Sequence, residues 1–464
     1  MSAVEEKSEG LFTDKRVHVI GLGAYGTGRA TARVLAARGA RVTVSDVKPA
    51  EELAEEIEAL EGTGVVIQTG ADAYRGIEEA ELVVPSPGVP LEIPPLLRAR
   101  ERGAQVVSEI EVAYWIARCP IIAVTGTKGK STTMTLIGEI LRDEGEKVQV
   151  GGNIGRPLIS LADRAAPHEL LVAEVSSFQL EATARFRPKV AVLLNLFADH
   201  LDRHPNMADY RSAKARLFAN QEPEDTAVVN RDEEEAWRLR DLTRAAVMPY
   251  SLSQVEPEGA DLVDGWLRVR GRRVCPQSSV RLRGKHNLGN ALAALAAAHA
   301  AGASLEKAEG TLSRFGGLEH RLEVVATAGG VMYVNDSQAT TPEASVVALE
   351  AFPEHVVLIA GGRPKIHDFS ALAKAAATRG ADLVVIGEAA AEIAGAAEAA
   401  GVGRIARAAS LGEAVAIARG WARPGEVVLL SPACASFDMF KNMAERGRIF
   451  REIAAKLAEE ERMR

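Results

Sequence analysis

Cysteine is scarce in this chain: Cys119, Cys275 and Cys434 are the only three in 464 residues, and they lie far apart. That excludes a disulfide framework and a cysteine-based metal centre, and it fits a reducing cytoplasm. No run of about 18 apolar residues occurs, so no segment is expected to span a membrane. Residues 1–10 are acidic and lack an apolar core, so no secretory leader is expected. There is no block of Lys and Arg, and the net charge is −8, which argues against nucleic acid as the main partner. Lysine is sparse too, 14 of the 55 basic residues, so a lysine inside a motif stands out from surface filler. What is present, 47% hydrophobic and 25% charged residues, is an ordinary soluble globular composition, and the length calls for two to four domains.

Against that background one stretch organises the chain. Ile121-Ile122-Ala123-Val124 reads as a buried strand, Thr125-Gly126-Thr127-Lys128-Gly129 as a tight turn, and Lys130-Ser131-Thr132-Thr133 as the start of a helix running to Gly145. This is the layout of a phosphate-binding loop. Its glycines let backbone N–H groups approach phosphate oxygens, and the helix N-terminus adds partial positive charge. Lys130 is placed for the β- and γ-phosphates of ATP, and Ser131 or Thr132 for Mg²⁺. The first glycine of the usual G-x-x-x-x-G-K-[ST] pattern is replaced by Val124.

Upstream, strand 16–20, the turn Gly21-Leu22-Gly23-Ala24-Tyr25-Gly26, a helix to Gly39 and strand 41–45 ending at Asp46 make a dinucleotide-binding fingerprint. Alone it suits any nucleotide diphosphate, NAD included. Strand 81–84 leads into Pro85-Ser86-Pro87-Gly88-Val89-Pro90, a rigid loop at a strand C-terminus where such sheets bind ligands. Downstream of the phosphate loop, Gly152-Asn153-Ile154-Gly155 is a turn, and strand 170–175 carries Glu174 near its end, positioned for Mg²⁺. Strand 190–194 leads into Asp199-His200-Leu201-Asp202-Arg203, with Lys214 following on a helix; beside a phosphate loop this reads as a second metal site. Residues 225–285 alternate short strands and turns in a hairpin-like pattern. Gly284-Lys285-His286-Asn287 opens an alanine-rich helix to about Ala301, in which Asn287 suits a capping role. Phe315 to Arg321 reads as a hinge. Beyond it, strands at 331–335, 355–360, 383–386 and 427–430 end in polar loops, and the alanine-rich run 371–417 is composition rather than a site. The fold class is therefore α/β in three domains, 1–117 (Rossmann-like), 118–318 (a central P-loop ATPase-like domain) and 319–464 (Rossmann-like).

Taken together, Thr125 to Thr132, Gly152 to Gly155, Glu174-Val175-Ser176-Ser177-Phe178-Gln179, Asp199 to Arg203, Gly284 to Asn287, His320-Arg321 and Leu430 to Ser436 resemble the Mur ligases across all three domains. The resemblance implies an ATP- and Mg²⁺-dependent, monomeric cytoplasmic ligase of peptidoglycan precursor synthesis. It is most similar to the branch that joins D-glutamate to UDP-N-acetylmuramoyl-L-alanine through an acyl phosphate. It implies that Lys130, Glu174, His200 and Lys214 are catalytic. Ser131, Glu174, His200 and a carbamylated Lys214 would serve the metals. Gly126 to Thr132, Asn290 (on the adenine), His320, Arg321 and Asp336 (on the ribose) would bind ATP. Leu22, Asp46, Lys48, Ser86, Gly88, Asn153 and Ser176 would bind the uridine nucleotide. Thr340, Lys365, Ser436 and Phe437 would bind D-glutamate. One departure stands out: the family's Asp-Ser-Lys-Ala-Thr-Asn loop here reads Asp336-Ser337-Gln338-Ala339-Thr340-Thr341, with a neutral amide in place of the cation.

Overall fold

The computed structural model describes residues 10–22, 26–197, 203–204, 206–282, 284–364 and 366–463. The chain divides into two compact units, Met1–Phe315 and Gly316–Arg464.

Unit one holds two sheets. The first is built from β1 (Arg16–Ile20), β2 (Arg41–Asp46), β3 (Val66–Thr69), β4 (Leu82–Pro85) and β5 (Gln105–Val106), all parallel in the order β3-β2-β1-β4-β5. The strand order reverses beside β1, so the C-terminal ends of β1, β2 and β4 flank a crevice. The second sheet comprises β6 (Ile121–Thr125), β7 (Val148–Gly152), β8 (Leu170–Glu174), β9 (Val190–Leu193), β10 (Thr226–Asn230), β11 (Ala246–Ser251), β12 (Ala260–Val263), β13 (Trp266–Val269) and β14 (Arg272–Pro276). Its order is β14-β13-β12-β11-β10-β9-β6-β8-β7. The central strands are apolar on both faces because both faces are covered. In β6, Ile121 and Ala123 enter one core while Ile122 and Val124 enter the other.

The first of those cores runs on into the first sheet, so the two sheets pack as one unit, which ends at Phe315 rather than at the expected boundary of 318. Polar contacts reinforce the joint. Glu111, fully buried on the helix Glu109–Ile116, accepts the backbone N–H groups of Ala184 (2.9 Å), Arg185 (2.7 Å) and Phe186 (2.9 Å). A carboxylate that satisfies three backbone donors at once recovers much of its desolvation cost.

Residues 225–285 differ from the hairpin expectation. Only β12, β13 and β14 pair antiparallel, whereas β10 and β11 extend the parallel sheet, joined by the short helix Glu234–Arg238. Ala227, Val228 and Val229 are all fully buried, so β10 has no alternation to announce it, and five residues of helix carry no readable period.

Unit two is one six-stranded sheet: β15 (Glu323–Ala328), β16 (Val331–Asn335), β17 (Val356–Gly361), β18 (Asp382–Ile386), β19 (Ile405–Arg407) and β20 (Val427–Leu430), ordered β15-β16-β20-β17-β18-β19. The two edge strands are additions to the sequence reading. β15 is an antiparallel, half-exposed edge and β19 is three residues long, so neither shows a buried apolar run. The alanine-rich stretch forms the helices Ser370–Arg379, Ala390–Ala400 and Leu411–Trp421. Among the described residues no helix is long and apolar enough to cross a membrane.

Candidate functional site

β6 delivers the phosphate loop to the C-terminal edge of the second sheet, and the helix Lys130–Asp143 leaves from it. Gly129 sits at φ 86°, and a Cβ there would lie 2.4 Å from Asn290 Oδ1, so both conformation and space demand glycine. Asn290 is thereby placed against the loop itself. Neither it nor Asn287 caps its helix: the N-cap of Lys285–Ala300 is Gly284, with no side-chain cap bond, which corrects the capping role expected for Asn287. Asn287 Oδ1 instead accepts from Asn290 Nδ2 at 3.0 Å.

The loop is pinned from β9. Asn195 Oδ1 accepts the N–H groups of Thr127 (3.0 Å) and Lys128 (2.8 Å), and its amide donates to Lys128 O (3.1 Å). Those two loop N–H groups are thus turned onto Asn195. The anion-binding capacity rests on the first turn of the helix, whose N–H groups have no intrahelical acceptor. Lys130 Nζ folds back to Thr127 O at 2.9 Å. Asn195 carries no signal of its own in the sequence beyond its place one residue past a strand end.

Glu174, 1% exposed, ends β8 beside Val124 of β6. Its carboxylate accepts from Ser131 Oγ (2.5 Å) and Asn153 Nδ2 (2.9 Å), two neutral donors. Asn153 is held there because Gly152, at φ 112°, brings the turn within 2.3 Å of Glu174 O, measured from the Cβ it lacks. Lys214, also 1% exposed, extends from the helix Met207–Ala215 to Gly126 O (3.0 Å) and Thr125 Oγ1 (3.2 Å), with Tyr210 beneath it. The Tyr210 hydroxyl meets Thr127 Oγ1 at 3.1 Å. Lys130, Ser131, Glu174, Asn153, Asn290 and Lys214 therefore converge on one loop. His200, the expected second-metal residue, lies outside the described residues. Among those described, no group of three or more His, Cys, Asp or Glu side chains is arranged to hold a metal. The donor set still suits Mg²⁺ beside a nucleotide, which takes one or two carboxylates and keeps the rest of its shell as water and phosphate oxygen.

Of the uridine-nucleotide candidates, Leu22, Asp46, Lys48, Ser86 and Gly88 lie at the crevice of the first sheet, whereas Asn153 and Ser176 lie at the end of the second. Asp46 accepts from Leu22 N–H and Lys48 N–H, both at 3.0 Å, and Ser86 Oγ donates to Gly21 O at 2.8 Å. Gly28 packs so tightly that a Cβ would fall 1.7 Å from Gly21 O. Ser176 is used locally, as N-cap of a capping box with Gln179. A residue given no role from sequence, Arg203, ties this crevice to the second sheet: it donates to Gly88 O (3.3 Å) and Val89 O (3.0 Å) while lying over the Phe178 ring.

In unit two, Asp336 follows β16 and accepts from Ser431 Oγ (2.8 Å) and Leu322 N–H (3.1 Å); burial pushes its pKa up to about 6. His320 adopts φ 63° and turns inward, its Nδ1 2.9 Å from Asn335 Nδ2. A side chain at Gly447 would collide with its ring, and burial lowers its pKa. Arg321 is the exposed member of the pair. Ser436 is buried, Thr340 half-buried, and Phe437 is 62% exposed. Lys365 lies outside the described residues.

Several known proteins are similar to this chain. A protein of Pelotomaculum thermopropionicum named UDP-N-acetylmuramoylalanine–D-glutamate ligase is 48% identical over 450 residues, 96% of this chain and 98% of its own length. One of the same name from Caldanaerobacter subterraneus is 42% identical over 95% of this chain and 98% of its own. Among solved structures, the UDP-N-acetylmuramate-alanine ligase MurC of Thermotoga maritima superposes with a TM-score of 0.58 at 20% identity, covering 95% of this chain and 99% of that one. The MurF ligase of the same organism, solved in complex with ADP, gives 0.54 at 16% identity, covering 99% and 100%. At those identities the two structures speak for the fold alone. Three family models match in succession: the Mur ligase MurD-like N-terminal domain at residues 15–108, the Mur ligase middle domain at 124–298, and the Mur ligase glutamate ligase domain at 320–434. With near-full-length identity of 48% beside them, the chain belongs to the Mur ligase family.

Proposed function

We propose that this chain is the ligase that adds D-glutamate to UDP-N-acetylmuramoyl-L-alanine, at the expense of ATP, in cytoplasmic peptidoglycan precursor synthesis. The observation that carries the reading is the near-full-length identity with ligases of that name, and the phosphate loop has the parts such a reaction needs. A carboxylate is a poor electrophile. Its oxygen attacks the γ-phosphorus of ATP, ADP departs, and an acyl phosphate forms. The amine of D-glutamate then attacks the acyl carbon; phosphate leaves with the bonding electrons and the amine loses a proton. The first step brings one anion onto another, so catalysis lies in positioning and in cationic stabilisation.

Lys130 and the first turn of its helix hold the β- and γ-phosphates. Ser131 and Glu174 would hold Mg²⁺, which when bound neutralises charge on the transferring group. Asn153 orients Glu174, Asn195 fixes the loop, and Lys214, in carbamylated form, would add an anionic oxygen to the same neighbourhood. The crevice at Leu22, Asp46, Lys48, Ser86 and Gly88 takes the uridine diphosphate. Thr340, Lys365, Ser436 and Phe437 take D-glutamate, and Arg321 and Asp336 serve ATP. The test is ADP release with ATP, Mg²⁺ and UDP-N-acetylmuramoyl-L-alanine against D-Glu, L-Glu, L-Ala, L-Lys and meso-diaminopimelate. D-Glutamate is expected to be fastest. A neutral or cationic amino acid turning over faster refutes the assignment.

A further inference from the structure

We propose that Arg446 is a positioning residue for the amino-acid substrate: its guanidinium locks the loops that follow β16, β17 and β20 into one shape and keeps a positive charge beneath them. The inference rests on the reading of this unit as the D-glutamate site. Arg446 is fully buried near the start of the helix Met443–Arg462. Its Nε donates to Ser337 Oγ (2.9 Å), and Nη2 donates to Ser337 O (2.9 Å) and Cys434 O (3.2 Å). Its Nη1 donates to Cys434 O (3.2 Å) and Ala435 O (3.4 Å). The third loop passes close to the same group: a Cβ on Gly362 would stand 3.3 Å from Nη1. Reciprocal backbone bonds of 2.9 Å between Arg363 and Ala435 then stitch that loop to the one after β20.

The sequence distance from these contacts to the candidate ligand groups is short. Ser337 lies three residues before Thr340, and Ala435 immediately precedes Ser436 and Phe437. A planar five-donor fork can hold both loops in fixed register, which a lysine cannot. Every acceptor it uses is a neutral carbonyl or hydroxyl. Asp438 acts on it through space, and that carboxylate is itself engaged by Glu388 N–H at 3.0 Å. Burial lowers the guanidinium's pKa to about 10, which leaves it cationic at neutral pH. Neutral donors would suffice to brace three loops. A cation retained in a water-poor setting, where its field is weakly screened, fits a substrate that arrives with two carboxylates while the nearby Gln338 supplies no charge.

The test uses the full-length enzyme and the variants R446K and R446M. In R446K the KM for D-glutamate is expected to rise roughly tenfold, the size of one lost charge-assisted contact, and in R446M further. Single-turnover ADP formation from ATP and UDP-N-acetylmuramoyl-L-alanine, without D-glutamate, should stay within about threefold of the parent, since that step does not use the amine. A folded R446K whose KM for D-glutamate stays within about twofold of the parent overturns the proposal, as does ADP formation that falls as far as ligation. If neither variant folds, S337A decides: it removes one acceptor and leaves the guanidinium, and an unchanged KM for D-glutamate counts against the proposal while a raised one supports it. Should the parent enzyme itself fail to use D-glutamate, the functional reading falls on that measurement alone, before any variant is compared, and the proposal falls with it.

Discussion

Replacing Glu174 by glutamine separates chemistry from stability more cleanly than any other single change at the phosphate loop. The side chain is 1% exposed and bonded to Ser131 Oγ and Asn153 Nδ2, so Glu174→Gln keeps the volume and removes only charge and one acceptor. Two charge-assisted bonds, about 1.5–3 kcal/mol each, become neutral bonds of about 0.5–1.5 kcal/mol. Against that loss stands relief of the cost of burying a carboxylate between neutral donors, several kcal/mol in a dry site. The two nearly cancel, so the folding free energy should move by no more than about 1.5 kcal/mol in either direction. Turnover should not be so lightly affected. Losing a group that stabilises charge in the transition state costs on the order of 3–4 kcal/mol, or 10²–10³ in rate. The Mg²⁺ concentration for half-maximal rate should also rise, because one of its anionic ligands is gone. The assay is ADP release across a Mg²⁺ titration, paired with thermal unfolding of the same preparation. A variant that melts with the parent and turns over within about threefold of it would refute the assignment of Glu174 to the metal and leave it a structural carboxylate.

Three further outcomes are expected. Asn195→Ala removes the Oδ1 that holds the Lys128 N–H and leaves the Thr127 N–H only the backbone carbonyl of residue 195, so the KM for ATP should rise roughly tenfold with a stability loss of about 1–3 kcal/mol; an unchanged KM would mean the loop holds its shape without the side chain. Lys214→Ala should be nearly inactive and partly restored by acetate, and the parent lysine should gain the mass of one CO₂ in high bicarbonate; no rescue together with an unmodified lysine argues against carbamylation. Asp336→Asn should stabilise the protein at pH 7.5 while impairing ATP use. A carboxyl raised from 3.8 to about 6 binds its proton more tightly when folded. The stability it withdraws is absent below pH ~4 and fully felt above pH ~6, amounting to at most ~3 kcal/mol. The gain measured by unfolding should therefore vanish as the pH falls toward 4, and a gain independent of pH would refute the cause.

Much of the fold was legible because its strands are buried on both faces. Ile121 to Val124 and Val356 to Ala360 are uninterrupted apolar runs ended by glycine or polar turns, and such runs locate both a strand and its ligand-facing end. Where packing is one-sided or brief the pattern fades. β15 is half-exposed, β19 has three residues, and the helix between β10 and β11 has five. Domain packing was less legible than domain content. What makes residues 1–117 one body with the next segment is Glu111 and a shared apolar core, and in sequence Glu111 is just another acid on a helix.

The candidate site divides along the same physical line. Residues whose chemistry depends on lying just past a strand end, such as Lys130, Glu174, Asn153 and Asp46, could be named because position along the strand fixes where they emerge. Residues whose role is to occupy someone else's backbone could not. Asn195 takes two N–H groups of the phosphate loop, Arg203 takes two carbonyls of the uridine-side loop, and Arg446 takes the carbonyls of Ser337, Cys434 and Ala435. Backbone acceptors and donors are the same at every residue, so no pattern in the sequence marks which of them a distant side chain will claim. His320 shows the converse. Its place in a motif points to a phosphate, yet a positive φ and the absence of a side chain at Gly447 let its ring turn inward onto Asn335, leaving Arg321 as the exposed charge. The loops at these strand ends are thus shaped by side chains that engage their backbone groups. Substitutions at Asn195, Arg203 and Arg446 should therefore each act mainly on the affinity for the one ligand whose loop they brace, a selectivity that loss of a phosphate-binding lysine would not show.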